Sequence, residues 1–135
     1  MKRKRKKSER KLLIEKLDTL CREIVRLRDD NTCQRCSKKV YGSNSHPCHV
    51  VPKGNGASLR RFDLLNIFLG CMACHQWWHN NPLDASEWFK EKFPARYAYL
   101  EIYRHYKYAG ISTVKMREVV ETYKRKLKEI KGENL

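Results

Sequence analysis

No stretch of this sequence approaches the roughly 18 to 20 consecutive apolar residues that a bilayer span requires, and acidic residues are scarce. There are 15 Asp and Glu against 30 Lys and Arg, a formal net charge of +15, with 41% hydrophobic and 33% charged residues. A membrane protein is excluded by that balance. A secretory leader is not expected either. Lys2 to Lys7 resemble a basic n-region, but Leu12 to Leu27 is broken by Glu15, Lys16, Asp18, Arg22, Glu23 and Arg26 and offers no apolar h-region. Internal repeats are lacking, as is any low-complexity tract beyond the first eleven residues. The chain should therefore stay in a reducing cytosol, where its six cysteines point to metal rather than to disulfides.

The basic excess is spread along the chain. Residues 1–11 carry eight Lys/Arg and one Glu, and residues 115–135 carry seven Lys/Arg and four Glu. The segment between is also basic. A net charge of +15 exceeds the roughly 2 to 8 units that solubility asks of a small domain, and each phosphate neutralised on a polyanion releases counterions. Nucleic acid is the first candidate partner. No base-reading element is visible, so weak sequence preference and strong salt dependence are expected.

The apolar pattern predicts a basic tail over residues 1–11, disordered without a partner, followed by an amphipathic helix over 12–30. Its apolar face is Leu13, Leu17, Leu20, Ile24 and Leu27. A knuckle and loop follow, then a short β-prone run at Cys48–Val51 stopped by Pro52. After a flexible loop over 53–58 comes a second brief strand, Ile67–Leu69, ending at Gly70, and a short helix from Cys71 to about Asn80. Asp84 with Glu87 has the form of a capping box opening the next helix, and Pro94 starts a tyrosine-rich segment running past Tyr106 to Gly110. A last helix begins near Ser112 and Thr113, with Met116, Val120, Tyr123, Leu127 and Ile130 on one face. The two terminal helices share one apolar period and should pack together. The fold class is α+β, with a zinc-stabilised core over residues 31–82 and a helical extension over 83–135.

Cys33-x-x-Cys36 and Cys71-x-x-Cys74 supply four thiolates, enough to close a tetrahedron around a structural Zn²⁺. A redox role is disfavoured because the βαβ setting of a thioredoxin-like motif is missing. Cys21 falls on the apolar face of the first helix and reads as a buried small residue. Cys48, immediately before a histidine, is either a metal ligand or a packed bystander. Four of the five histidines gather in two places, His46 and His49 around the first strand, and His75 and His79 on the short helix. Spacing of four puts the last two on one helical face, where they could hold one divalent ion with positions left open. Trp77, Trp78, Trp88 and Phe89 read as core.

In order, Cys33-x-x-Cys36, His49-Val-Val-Pro52, Asn66 and Cys71-x-x-Cys74-His75 with His79 resemble the HNH, or His-Me finger, nucleases. The stretch Leu59–Asp63 with Asn66 and the second CxxC is similar to phage NinG/Rap recombination endonucleases, over roughly residues 30–95. The resemblance implies a ββα-metal core and a metal-dependent DNA endonuclease of phage origin, acting in the bacterial cytoplasm. It makes His49 the general base and Asn66 the residue that holds the loop and orients it. His75 and His79 become ligands of a catalytic ion, with Cys48 standing where many members have Asp, Glu or His. The metal could be Zn²⁺, Mn²⁺, Ni²⁺, Co²⁺ or, less suited to imidazole, Mg²⁺. Lys53, Arg60 and Arg61 flank the loop as candidate phosphate contacts, Arg61 foremost. A double-strand cut would need a second site, from a homodimer or a recombination or packaging complex. The competing class is a zinc-stabilised module that binds nucleic acid without cutting it.

Overall fold

The computed structural model describes residues 2–54, 56–103 and 110–132. Among these residues the architecture is α+β, with six α-helices and one two-stranded antiparallel sheet. The first helix, α1 (Glu9–Arg28), opens three residues before the position read from the pattern, because the Ser8 hydroxyl accepts from the Lys11 amide and caps it. It ends at Asp29, after which Asp30 and Asn31 turn through positive φ. Leu17, Ile24 and Val25 are fully buried. Burial of such a side chain is worth about 1.5 to 3 kcal/mol. Its partner is α6 (Thr113–Ile130), capped by the Ser112 hydroxyl, which contributes Met116 and Val120. The two terminal helices do pack together within one chain.

Between them lies the sheet, β1 (His46–His49) and β2 (Ile67–Gly70), paired so that His46 faces Gly70 and His49 faces Ile67. β1 sits two residues earlier than the β-prone run at Cys48–Val51 implied. Pro47 is tolerated because β1 has one neighbour and needs no amide on its open edge. Beyond His49 the chain leaves the sheet, since Val50 donates its amide to the Asn66 carbonyl and Val51 to the Asn66 side chain. Gly70 is required by close approach: a Cβ there would lie 3.0 Å from the Cys48 sulfur.

A one-turn helix, α2 (Leu59–Phe62), and a 3₁₀ turn at Leu64–Asn66 lead into β2. Next come α3 (Met72–Asn80), α4 (Pro82–Lys92) and α5 (Pro94–Tyr103). α4 starts three residues before the capping box suggested, with Asn81 rather than Asp84 at its N-cap. Pro82 takes its first turn, where a missing amide costs nothing, and Asp84 lies within that turn as a favourable negative charge. Tyr106 falls outside the described residues.

Each face of the sheet has its own core. Ile67 and Leu69 join α1, α6 and three of the zinc-motif cysteines on one side. Cys48 and Phe68 join Phe89 and Leu100 on the other, with Trp78, Trp88, Phe93 and Tyr97 packed against them. Trp78 and Trp88 meet the Phe68 ring at 5.2 and 5.4 Å between centroids, so these aromatics are core, as their helical spacing implied. Among the described residues, no helix is long and apolar enough to cross a membrane.

Candidate metal and histidine site

Cys33 and Cys36 come from the turn after α1, and Cys71 and Cys74 from the start of α3. Their four sulfurs all lie within 4.8 Å of one another, and Cys36 and Cys71 are 3.9 Å apart. Four thiolates around one Zn²⁺ at about 2.3 Å would stand roughly 3.8 Å apart, so the donor set fits that ion in number, chemistry and spacing. Burial raises the Cys33 thiol, but hydrogen bonds from the Cys36, Cys71 and Arg35 amides outweigh it and bring the group down to about 7. Burial holds Cys74 up at about 12. A dication relieves that cost by replacing the proton.

Cys71 has a second role. Its sulfur accepts from the Cys74 amide at 3.3 Å as the N-cap of α3. A thiolate there satisfies an orphan donor and complements the helix dipole. The helix that carries His75 and His79 is thereby started by a zinc-motif cysteine.

Three imidazoles form a file at its side. His46 Nε2 lies 2.9 Å from the Ser43 carbonyl, His46 Nδ1 3.0 Å from His75 Nδ1, and His75 Nε2 3.0 Å from His79 Nε2. With all three rings neutral, the tautomers follow from the first contact. A carbonyl can only accept, so His46 carries its proton on Nε2 and presents a bare Nδ1. His75 then donates from Nδ1 and presents a bare Nε2, to which His79 donates. One proton therefore sits between His75 and His79. Two nitrogen ligands at about 2.1 Å and right angles would be roughly 3.0 Å apart, so a divalent ion can take that proton's place. Burial, reinforced by its neighbours His79, His46 and His49, pushes the His75 pKa down, leaving it a neutral donor.

Cys48 is not part of this file. Alternation along β1 turns it into the apolar cluster with Phe68 and Phe89, where it is fully buried. Burial drives its pKa strongly up, with the Cys33, Cys74 and Cys71 sulfurs adding to the effect. It stays protonated, donating weakly to the His46 carbonyl, and of the two readings left open it is the packed one. The strand residue brought to His75 is His46, which the sequence alone ranks low.

His49 projects from the opposite face of β1, toward α1. Its Nε2 lies 2.9 Å from the Arg61 carbonyl, so Nε2 carries the proton and Nδ1 is the bare acceptor. Burial lowers its pKa below the usual 6.5, and a charge on it is felt at His75. The ring borders a cavity of about 60 Å³ between Asp18, Lys53 and Arg61, room for about two waters. The Asn66 side chain hydrogen-bonds backbone rather than the His49 ring. Fully buried, it accepts from the Val51 amide at 2.8 Å and donates to the Val51 and Arg60 carbonyls at 2.9 and 2.8 Å. It clamps both ends of the loop, and Arg61, next after Arg60, supplies the carbonyl that orients His49.

Arg61 is committed elsewhere. Its guanidinium makes a two-pronged pair with Asp18 of α1 at 3.0 and 2.7 Å, and its side chain is 12% exposed. The guanidinium expected to be the foremost phosphate contact is thus held by a carboxylate of α1. Replacing it with alanine strands a partly buried carboxylate and should destabilise the fold by about 1 to 3 kcal/mol, while leaving the salt slope of nucleic-acid binding unchanged. Urea unfolding and salt-titrated binding read the two effects separately. Lys53 is exposed beside the His49 loop, and the Arg60 guanidinium lies against Gly54.

No family model, curated protein or solved structure matches the chain.

Proposed function

We propose that the protein is a metal-dependent nuclease of the HNH type, hydrolysing phosphodiesters of DNA with weak sequence preference. The observation that carries the reading is the state of His49: neutral, held by one nitrogen on a backbone carbonyl, with its other nitrogen bare beside a water-sized cavity. That is what proton abstraction from an attacking water requires. His75 and His79 would hold a divalent ion, which when bound stabilises negative charge on phosphate oxygens. The order of motifs along the chain and the net charge of +15 support the same reading. The four thiols hold the structural Zn²⁺, which has no open position and takes no part in chemistry.

Supercoiled plasmid tests it. The zinc-loaded protein, supplied in turn with Mn²⁺, Ni²⁺, Co²⁺, Zn²⁺ and Mg²⁺, should convert the plasmid to nicked circles bearing 5′-phosphate and 3′-hydroxyl ends. Retardation of the plasmid without nicking, under every ion, would leave the passive zinc-stabilised binder as the better description.

A further inference from the structure

The largest feature near the histidines that this chemistry leaves unused is a cavity of about 250 Å³ between the loop that follows His49 and helices α3 to α5. Val50 and Pro52 of the loop line it together with Trp78, His79, Ser86 and Tyr97 of the helices. Its volume falls just short of the roughly 300 Å³ at which pockets for drug-sized ligands begin. It suits a single flat heterocycle. Aromatic and aliphatic walls offer faces rather than hydrogen-bonding edges, so they favour a ring by stacking, whatever its identity. A cation stands beside it: the Lys90 ammonium lies 5.3 Å from the centre of the Tyr97 ring. A largely apolar slot with a lysine beside it and His79 in its lining, on a chain of charge +15, complements a group that is flat and apolar at one end and anionic at the other.

We infer that this cavity is a subsite for one unpaired nucleobase, seated between Pro52 and Trp78 with its phosphate at His79. The inference rests on the nuclease reading and narrows its substrate. A paired base keeps its faces in the duplex stack and cannot enter, so the favoured DNA has an unpaired nucleotide next to the cut: single strands, flaps, or junctions with an unstacked base. Base preference stays weak because stacking accepts any base.

Binding is measured on full-length, zinc-loaded protein carrying His49→Ala, so that no cleavage intervenes and a failure here is separable from a failure to nick. A labelled thymidine 12-mer should bind roughly tenfold more tightly than a 12-mer of abasic deoxyribose phosphates at equal salt, the scale of stacking one base. Ser86→Trp, filling the cavity from an exposed helical position, should bring the thymidine strand to the abasic value and leave the abasic strand unchanged. A measurement without that substitution uses 5-fluorotryptophan: thymidine 5′-monophosphate should shift the Trp78 fluorine resonance, and deoxyribose 5-phosphate should not. Equal affinity for the two strands, a difference that survives in folded Ser86→Trp, or a shift confined to Trp77 would each overturn the subsite. So would displacement of the nucleotide by an uncharged aromatic peptide but not by single-stranded DNA.

Discussion

Stripping the metal from Cys33, Cys36, Cys71 and Cys74 is expected to unfold the protein rather than loosen one loop. The cysteine turn and the sheet are joined directly, since Gln34 donates its amide to the Leu69 carbonyl at 2.9 Å and the Lys92 ammonium reaches the Gln34 carbonyl. On the other side Cys71 starts α3. Cys33, Cys71 and Cys74 also belong to the same buried cluster as α1 and α6, so a metal held there would brace the core that those helices build. Structural Zn²⁺ supplies on the order of 10 kcal/mol to small metal-folded domains, comparable with the roughly 5 to 15 kcal/mol of a whole domain's stability. A strong chelator should abolish the cooperative thermal transition and release one Zn²⁺ per chain, and Cys74→Ser should do the same without chelator. An unchanged melting curve in chelator would mean that the thiols are held by packing alone.

Local patterns in the sequence carried much of this arrangement. Helix faces, the Ser112 cap, the second strand and the helix after Cys71 follow from periodicity and from turn residues, and the paired CxxC motifs carry their own geometry. What was illegible depended on contacts distant in sequence. Nothing in the neighbourhood of Arg61 signals that Asp18, 43 positions earlier, will neutralise it, because a polar residue on an amphipathic helix usually faces solvent. The facing of β1 is set by its register against β2, which pairs Cys48 with Phe68 and His49 with Ile67, and by Asn66, which takes the chain out of the sheet at Val51. His46 and Cys48 share one face of β1 and differ in place along it, the thiol opposite Phe68 and the histidine at the strand's start beside His75, while His49 takes the other face. His46 was underrated for that reason: its contact with His75 spans 29 positions.

His49→Ala should lower the rate of plasmid nicking by roughly 10²- to 10⁴-fold, the usual contribution of a positioned general base. At 1.36 kcal/mol per tenfold, that is about 3 to 5 kcal/mol of barrier. Binding of DNA should be unchanged, because the substitution removes no cation: burial lowers the His49 pKa and leaves Lys53 in place. The pH dependence supplies an independent sign. A base works when unprotonated, so the rate should rise with pH through the folded pKa of His49. Burial puts that value below 6.5, and the rate should already be level at neutral pH. The same shift acts on stability in the same direction: the unfolded chain takes up its proton first as pH falls through 6.5, so stability is lost between that value and the lower folded one. Asn66→Ala separates positioning from chemistry. Three hydrogen bonds at Val51 and Arg60 would be lost, so melting temperature and rate should fall together, whereas His49→Ala, which loses one, should lower the rate far out of proportion to its smaller effect on melting. A His49→Ala protein that nicks as fast as its parent would remove this histidine from the chemistry, whatever the metal at His75 and His79.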